Sequence, residues 1–199
     1  PAEEIRAGSG VSIKDSSNIL ISDLIIINTN LHGVAMRADG TCKVTHLTVT
    51  GVNDKGILLV VCNDCLIEGN YCASSVNEDG IILYADNTRC KVIGNTCYNN
   101  PRNGIAVGST CTYNIVSNNV LRDNATTSIY VGTVSASNYN IIESNLVTGG
   151  GEGIVVGVAS SYNTIANNII YRPNGYGIVL IQVQAQNYNT ISGNLIIGA

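Results

Sequence analysis

Polar residues capable of acid–base chemistry recur immediately before four evenly spaced glycines. They precede Gly33, Gly56, Gly80 and Gly104, and they are His32, Asp54, Lys55, Glu78, Asp79, Arg102 and Asn103. Removal of a proton next to the carboxylate of a uronic acid needs a base, together with a cation or metal that stabilises the anion. The candidate catalytic residues are therefore His32, Lys55 and Arg102. The candidate substrate-binding residues are Asp54, Glu78, Asp79 and Asn103, and the three carboxylates could hold Ca²⁺ through oxygen ligands.

A second interpretation of these seven residues stays open, because charged side chains also collect in solvated turns without any catalytic role. Four tyrosines at similar intervals add a further candidate surface, and they are Tyr113, Tyr139, Tyr162 and Tyr188. Their rings could stack against sugars or could form a stabilising aromatic ladder. We include them among the candidate substrate-binding residues.

Two markers reveal the repeat that must position these side chains. The first is a small residue followed by an apolar-x-apolar triplet, and it falls at Gly10, Gly33, Gly56, Gly80, Gly104, Ser128, Gly153 and Gly177, with spacings of 23–25 residues. The second is a turn position with spacings of 23–26 residues, held by Asp23, Leu47, Asn70, Asn95, Asn119, Asn145, Asn168 and Asn194. Self-similarity at a fixed period of this length is typical of solenoids.

Apolar residues alternate around both markers, which indicates short strands with one buried face. The period is too short for a four-stranded propeller blade, and the signature of leucine-rich repeats is missing. The sequence predicts an all-β fold, a parallel β-helix of about eight coils, as one domain over residues 1–199 or as one segment of a longer array. Stacked coils lie about 4.8 Å apart, so the seven polar residues would form one patch of roughly 15 Å over three coil spacings.

Two outward-facing columns are apolar, although a free monomer should carry polar groups there. The first column is Leu58, Ile82, Ala106, Tyr130, Val155 and Val179. The second is Leu24, Tyr71, Val120, Leu146, Ile169 and Leu195. Both are predicted to be exposed, and they favour a homo-oligomer or packing against sequence outside this chain.

The seven cysteines fall largely into shared columns. Cys42, Cys65 and Cys90 occupy positions that other coils fill with Asn18, Asn114, Asn140, Asn163 and Asn189, and Cys72 and Cys97 share another column. Stacked cysteines come close enough for a disulfide, and Cys62-x-x-Cys65 has the spacing of half a zinc site. Buried free thiols are the favoured interpretation over disulfides or metal.

The composition excludes some partner classes. A net charge of −4, a pI near 5.0 and 12% charged residues argue against nucleic acid, because phosphate binding needs clustered lysine and arginine. No apolar run is long enough to span a bilayer.

The motif Asn-x-Ile-x-Asn-Asn-x-Ile followed by Gly-Ile-x-Leu in residues 163–180 resembles the repeats of the pectin-lyase-like superfamily. It is especially similar to NosD-type and carbohydrate-binding β-helix repeats, and the likeness covers residues 10–199. The resemblance implies the right-handed coil and an extracellular or envelope protein that binds or processes acidic polysaccharide, as lyases and epimerases do. The Asp-Pro-His string of mannuronan epimerases and the motifs of pectate lyases and polygalacturonases are missing. The alternative is a non-catalytic module, such as a tailspike, adhesin or surface-layer segment, that assembles through its apolar faces.

Overall fold

Stacking of the predicted strands produces a right-handed parallel β-solenoid. The computed structural model describes residues 8–37, 40–133, 135–157, 159–181 and 188–198. These residues form three parallel sheets of eight strands each, in agreement with the predicted eight coils.

Each coil contributes one strand to every sheet, in the order A, B, C. Sheet A consists of Val11–Lys14, Val34–Arg37, Ile57–Val60, Ile81–Ala85, Asn103–Ser109, Thr127–Val131, Glu152–Val156 and Ile178–Leu180. Sheet B consists of Leu20–Ser22, Lys43–Thr45, Leu66–Glu68, Lys91–Ile93, Ile115–Ser117, Ile141–Glu143, Thr164–Ala166 and Thr190–Ser192. Sheet C consists of Ile25–Ile27, Thr48–Thr50, Tyr71–Ala73, Thr96–Tyr98, Val120–Arg122, Leu146–Thr148, Ile169–Tyr171 and Leu195–Ile197.

The stacking of residues one period apart is confirmed by the strand register. Ile81 pairs with Ile57 on one side and with Ile105 on the other. Side chains of such inward columns form one core that runs the length of the solenoid. A sequence separation of about 24 residues is therefore a direct contact between neighbouring strands.

In sheets B and C, the strands of the first coil are shifted by one residue from the predicted register, whereas Val11 pairs with Val34 in sheet A as predicted. Ile21 pairs with Val44 and Ile26 pairs with Val49, so these two isoleucines point inward and are buried. Leu20 and Ile25, which would point inward if Asp23 held the turn position, are exposed. A shift of one residue moves every side chain of a strand to the opposite face of the sheet. Because both faces of these strands carry apolar residues, the apolar pattern could not determine their register. Asn18 is displaced for the same reason, because Ile19 stacks below Cys42.

The prediction that the first apolar column is exposed is wrong. Leu58 and Ala106 are fully buried, and together with Ala35, Val60 and Ile82 they form a second apolar cluster on the outer face of sheet A. Val61 and Tyr84 pack against this cluster. Val155 is also buried, whereas Tyr130 and Val179 are partly buried. The second column is exposed as predicted from Tyr71 to Leu195, with Ile25 in place of Leu24 at its first position.

Asparagine ladders hold the corner between sheets B and C, which we name the B–C corner. A left-handed residue, such as Asn118 with φ of 57°, turns the chain, and the next residue points inward. The Oδ1 atom of Asn119 accepts the backbone and side-chain N–H groups of Asn95 at 2.8 and 3.1 Å. Its own amide donates to Oδ1 of Asn145 at 3.0 Å. Each amide thus satisfies buried backbone groups of the coil below and joins the next coil.

Candidate functional site

The seven predicted polar residues do come together at the corner between sheets C and A, which we name the C–A corner. Backbone N–H groups of Gly33, Gly56 and Gly80 donate to the carbonyl groups of Lys55, Asp79 and Asn103 at 2.9–3.0 Å. His32, Lys55, Asp79 and Asn103 therefore occupy one register in four successive coils. Asp54, Glu78 and Arg102 lie one residue earlier. We call these seven residues the C–A patch.

The two candidate bases of the patch are buried and engaged. His32 and Lys55 are 2% and 3% exposed. The backbone N–H of Lys55 donates to Nδ1 of His32 at 3.4 Å, so the lone pair of that nitrogen is occupied. Lys55 Nζ lies 3.0 Å from Asp54 Oδ1, and Oδ2 of Asp54 lies 3.5 Å from His32 Nδ1. The charges at this end of the patch are therefore largely compensated inside the protein.

Arg102 and Glu78 form the more accessible end. Arg102 Nη1 lies 2.5 Å from Glu78 Oε2, and both side chains keep substantial solvent exposure. A guanidinium group held in this way can exchange its carboxylate partner for one on a ligand.

Asp79 lies behind this ion pair and is fully buried. Its Oδ1 atom accepts the backbone and side-chain N–H groups of Asn103 at 2.9 and 2.8 Å. Oδ2 of Asp79 and Oδ1 of Asn103 are buried without a hydrogen-bond partner. Burial raises the pKa of Asp79 to about 6, and the hydrogen bonds from Asn103 and the charge of Arg102 counteract this rise only in part. The carboxyl group is therefore poised to take up a proton in mildly acidic solution.

The four predicted tyrosines form a regular stack on a different corner. Tyr113, Tyr139, Tyr162 and Tyr188 lie between sheets A and B, at what we name the A–B corner, in the upper coils. Their ring centroids are 5.1, 4.8 and 5.0 Å apart, with interplanar angles of 10–14°. All four tyrosines are exposed. Sheet A separates this tyrosine row from the C–A patch, so the predicted residues form two surfaces and not one.

An ion pair extends the tyrosine row toward the first coil. Arg89 donates through Nε and Nη2 to the two carboxylate oxygens of Asp64, both at 2.7 Å. Asp64, Arg89 and Tyr113 have φ values of 56–60° and occupy the same register. This pair was not predicted from the sequence, although Asp64 and Arg89 immediately precede Cys65 and Cys90 of the predicted cysteine column. The row therefore begins with a guanidinium group one coil below the first ring.

Metal and membrane sites are not evident within the described ranges. No group of three or more His, Cys, Asp or Glu side chains there is arranged to hold a metal ion. No helix in that part of the chain is long and apolar enough to cross a membrane.

The parallel coils and their inward columns define a β-helix, and comparison with known families agrees. The model of the right-handed beta helix region matches residues 9–156. The chain belongs to this family. No curated protein sequence matches the chain.

Solved structures with the same fold include the periplasmic alginate epimerase AlgG. That structure aligns with a TM-score of 0.74 at 15% identity, over 92% of this chain and 51% of the enzyme. A single-substitution variant of the enzyme aligns with a TM-score of 0.81 at 14% identity, over 94% of this chain and 48% of the enzyme. The chain thus spans about half the length of these structures, and the low identity carries the likeness of fold alone.

Proposed function

We propose that this β-helix binds an extended acidic polysaccharide along its axis, at the cell envelope or outside the cell. The observation that carries the proposal is the tyrosine row, because it presents four identical edges at the coil spacing on an exposed corner. An extended β-1,4-linked chain advances by a similar length for each sugar. Neighbouring sugars can therefore meet the same phenol group in successive coils.

Acidic sugars are favoured by the cations that flank sheet A. Arg89 lies one coil below Tyr113, and Arg102 lies at the opposite edge of the sheet. Both guanidinium groups already hold a carboxylate in bidentate or close contact. A uronate carboxylate can replace Asp64 or Glu78 in these contacts. AlgG, which shares the fold, is an enzyme that acts on alginate.

Binding fits the geometry of the C–A patch better than turnover does. A lyase or epimerase needs an accessible base, and His32 and Lys55 are buried and hydrogen-bonded. Processing of the polysaccharide by these residues, with or without Ca²⁺, is the less favoured form of the proposal.

Calorimetric titration with defined oligosaccharides tests the proposal. Oligomannuronate, which is acidic and β-1,4-linked, should bind to the whole chain, whereas a neutral β-1,4 glucan and an α-1,4-linked oligogalacturonate should bind more weakly. Tyr139→Ala and Arg89→Gln should each weaken binding at least fivefold, because the first interrupts the row and the second removes its cation. Tyr176→Ala, an exposed tyrosine outside the row, is the matched control. Equal binding by the Tyr139 and Tyr176 variants would reject the tyrosine row, and no binding of any oligosaccharide would reject the function.

A second candidate function rests on sheet C. Its outer face carries Val120, Leu146, Ile169 and Leu195 in one exposed column. Such a stripe suits a structural module that assembles laterally with copies of itself. Light scattering of the parent chain and of Leu146→Lys distinguishes a lateral oligomer from a monomer. A lateral oligomer should become monomeric in the variant. A monomeric parent chain would remove this candidate.

A further inference from the structure

Thiols replace an asparagine ladder in the lower coils of the A–B corner. In the upper coils the ladder is built from Asn114, Asn140, Asn163 and Asn189. Below Asn114 the same register is occupied by Cys90, Cys65 and Cys42, as the backbone bonds between successive coils show. Cys62 belongs to a neighbouring register that continues with Asn87.

Folding alone favours asparagine at these positions. Oδ1 of Asn114 accepts the N–H of Cys90 at 2.9 Å, and its Nδ2 donates to Asn87 O and to Asn140 Oδ1, both at 3.0 Å. The thiol of Cys90 contacts the carbonyl groups of Cys62 at 3.4 Å and of Thr88 at 3.7 Å. A thiol is a weak donor and a weak acceptor. The thiol column therefore has no evident advantage for folding, which points to the chemistry of sulfur.

The sulfur atoms meet around Cys65. The thiols of Cys62, Cys90 and Cys42 lie close enough to Cys65 to stabilise its thiolate. The interaction with these thiols lowers the pKa of Cys65. The interaction with Cys65, together with burial, raises the pKa of Cys90. A lowered pKa favours the thiolate, which is the nucleophilic form of cysteine. Stacked residues have Cα atoms about 4.8 Å apart, within the range of about 4.4–6.8 Å that a disulfide requires.

We propose that Cys65 is a redox-active thiol that reacts with hydrogen peroxide and then forms a disulfide with Cys90. In the first step the Cys65 thiolate attacks one peroxide oxygen, the O–O bond breaks, hydroxide leaves and a sulfenic acid forms. In the second step Sγ of Cys90 attacks Sγ of Cys65, the S–O bond breaks, and water leaves with the proton of Cys90. Two thiols and one peroxide thus give one disulfide and two waters.

Peroxide must reach a buried sulfur, since Cys65 is 1% exposed. Peroxide is nearly as small as water, so a local opening of the corner is sufficient for access. The reaction is therefore expected to take minutes to hours and not seconds.

Mass spectrometry of the reduced full chain after peroxide treatment tests the proposal. A non-reducing digest should contain a linked pair of peptides with Cys65 and Cys90, and the intact mass should fall by two hydrogens. Cys72 and Cys97 are the internal control, because they face each other in register on sheet C and burial raises the pKa of both thiols. They should stay reduced.

Two variants separate chemistry from folding. Cys65→Asn restores a ladder amide and should abolish the reaction, whereas Cys90→Asn should leave a sulfenic acid on Cys65 that dimedone captures. Unfolding in urea confirms that both variants are folded. Equal oxidation of Cys72 and Cys97, linkage of Cys65 to Cys62 or Cys42, or no oxidation in the native protein would each overturn the proposal.

Discussion

Truncation of one buried ladder amide tests the role of the B–C corner. In Asn119→Ala, the N–H of Asn95 and the carbonyl group of Val92 lose their hydrogen bonds with the Asn119 side chain. The side chain of Asn95 still donates to Ile67 and Ile93, so it keeps other partners. Each buried group that loses a partner costs about 1–3 kcal/mol. The free energy of unfolding should therefore fall by about 2–6 kcal/mol.

The matched control lies at the other end of the same ladder. Asn194 accepts the backbone and side-chain N–H groups of Asn168 at 2.9 Å and donates to Ile165 O at 2.9 Å. It is only partly buried, so water can replace these bonds in Asn194→Ala, and the expected loss is about 1 kcal/mol.

Urea unfolding followed by far-ultraviolet circular dichroism measures both variants. The comparison is valid if the denaturant slope matches that of the parent chain, because a changed slope indicates a change in cooperativity. A loss for Asn119→Ala no larger than that for Asn194→Ala would refute the argument that buried amides hold the coils together.

Three further predictions concern the core and the C–A patch. The folded pKa of Asp79, about 6, lies above its ordinary value of 3.8. The free energy of unfolding should therefore fall by about 2 kcal/mol as pH rises from 4 to above 6. The difference from Asp79→Asn in urea unfolding at each pH should show this fall, and a constant difference would contradict it. Gly56→Ala places Cβ 2.4 Å from the carbonyl oxygen of Gly80, whereas the new Cβ in Gly94→Ala meets nothing within 4 Å, at φ of +66°. In thermal unfolding, Gly56→Ala should therefore lose far more stability than the roughly 1–2 kcal/mol expected for Gly94→Ala. A larger loss for Gly94→Ala would exclude the close contact at Gly56. Leu58→Ala should lower the free energy of unfolding by about 2–5 kcal/mol, because the Leu58 side chain is fully buried. The exposed Leu146 is the control, and Leu146→Ala should change this free energy by about 0.5 kcal/mol or less. Equal effects of the two variants in urea unfolding would show that the outer face of sheet A is not a packed cluster.

The repeat could be predicted from the sequence because two different markers keep one period. A glycine or serine before an inward apolar pair and an amide after a left-handed residue each fix the register without the other. In the first coil the second marker fails, since Leu24 takes the ladder position and apolar residues occupy both faces of the strands in sheets B and C. Alternation then gives no unique solution, and the predicted register was displaced by one residue.

The candidate site was predicted only in part. Stacking at the C–A corner follows from the period, so His32, Lys55, Asp79 and Asn103 could be placed in one column. Their burial could not be predicted, because it depends on what packs over the corner and not on the spacing along the chain. Leu58 shows the same limit, since an outward position on a strand indicates exposure only when nothing covers the sheet.

At the A–B corner, successive coils have a left-handed residue whose side chain is exposed, followed by a residue that points into the core. Asp64, Arg89 and Tyr113 share one backbone conformation, yet their side chains are an acid, a base and an aromatic ring. The residue that follows each of them points inward and carries the hydrogen bonds of the corner. Substitution at the displayed position therefore leaves the interior intact. A solenoid of this kind can therefore present acidic, basic and aromatic groups along one edge, one for every coil.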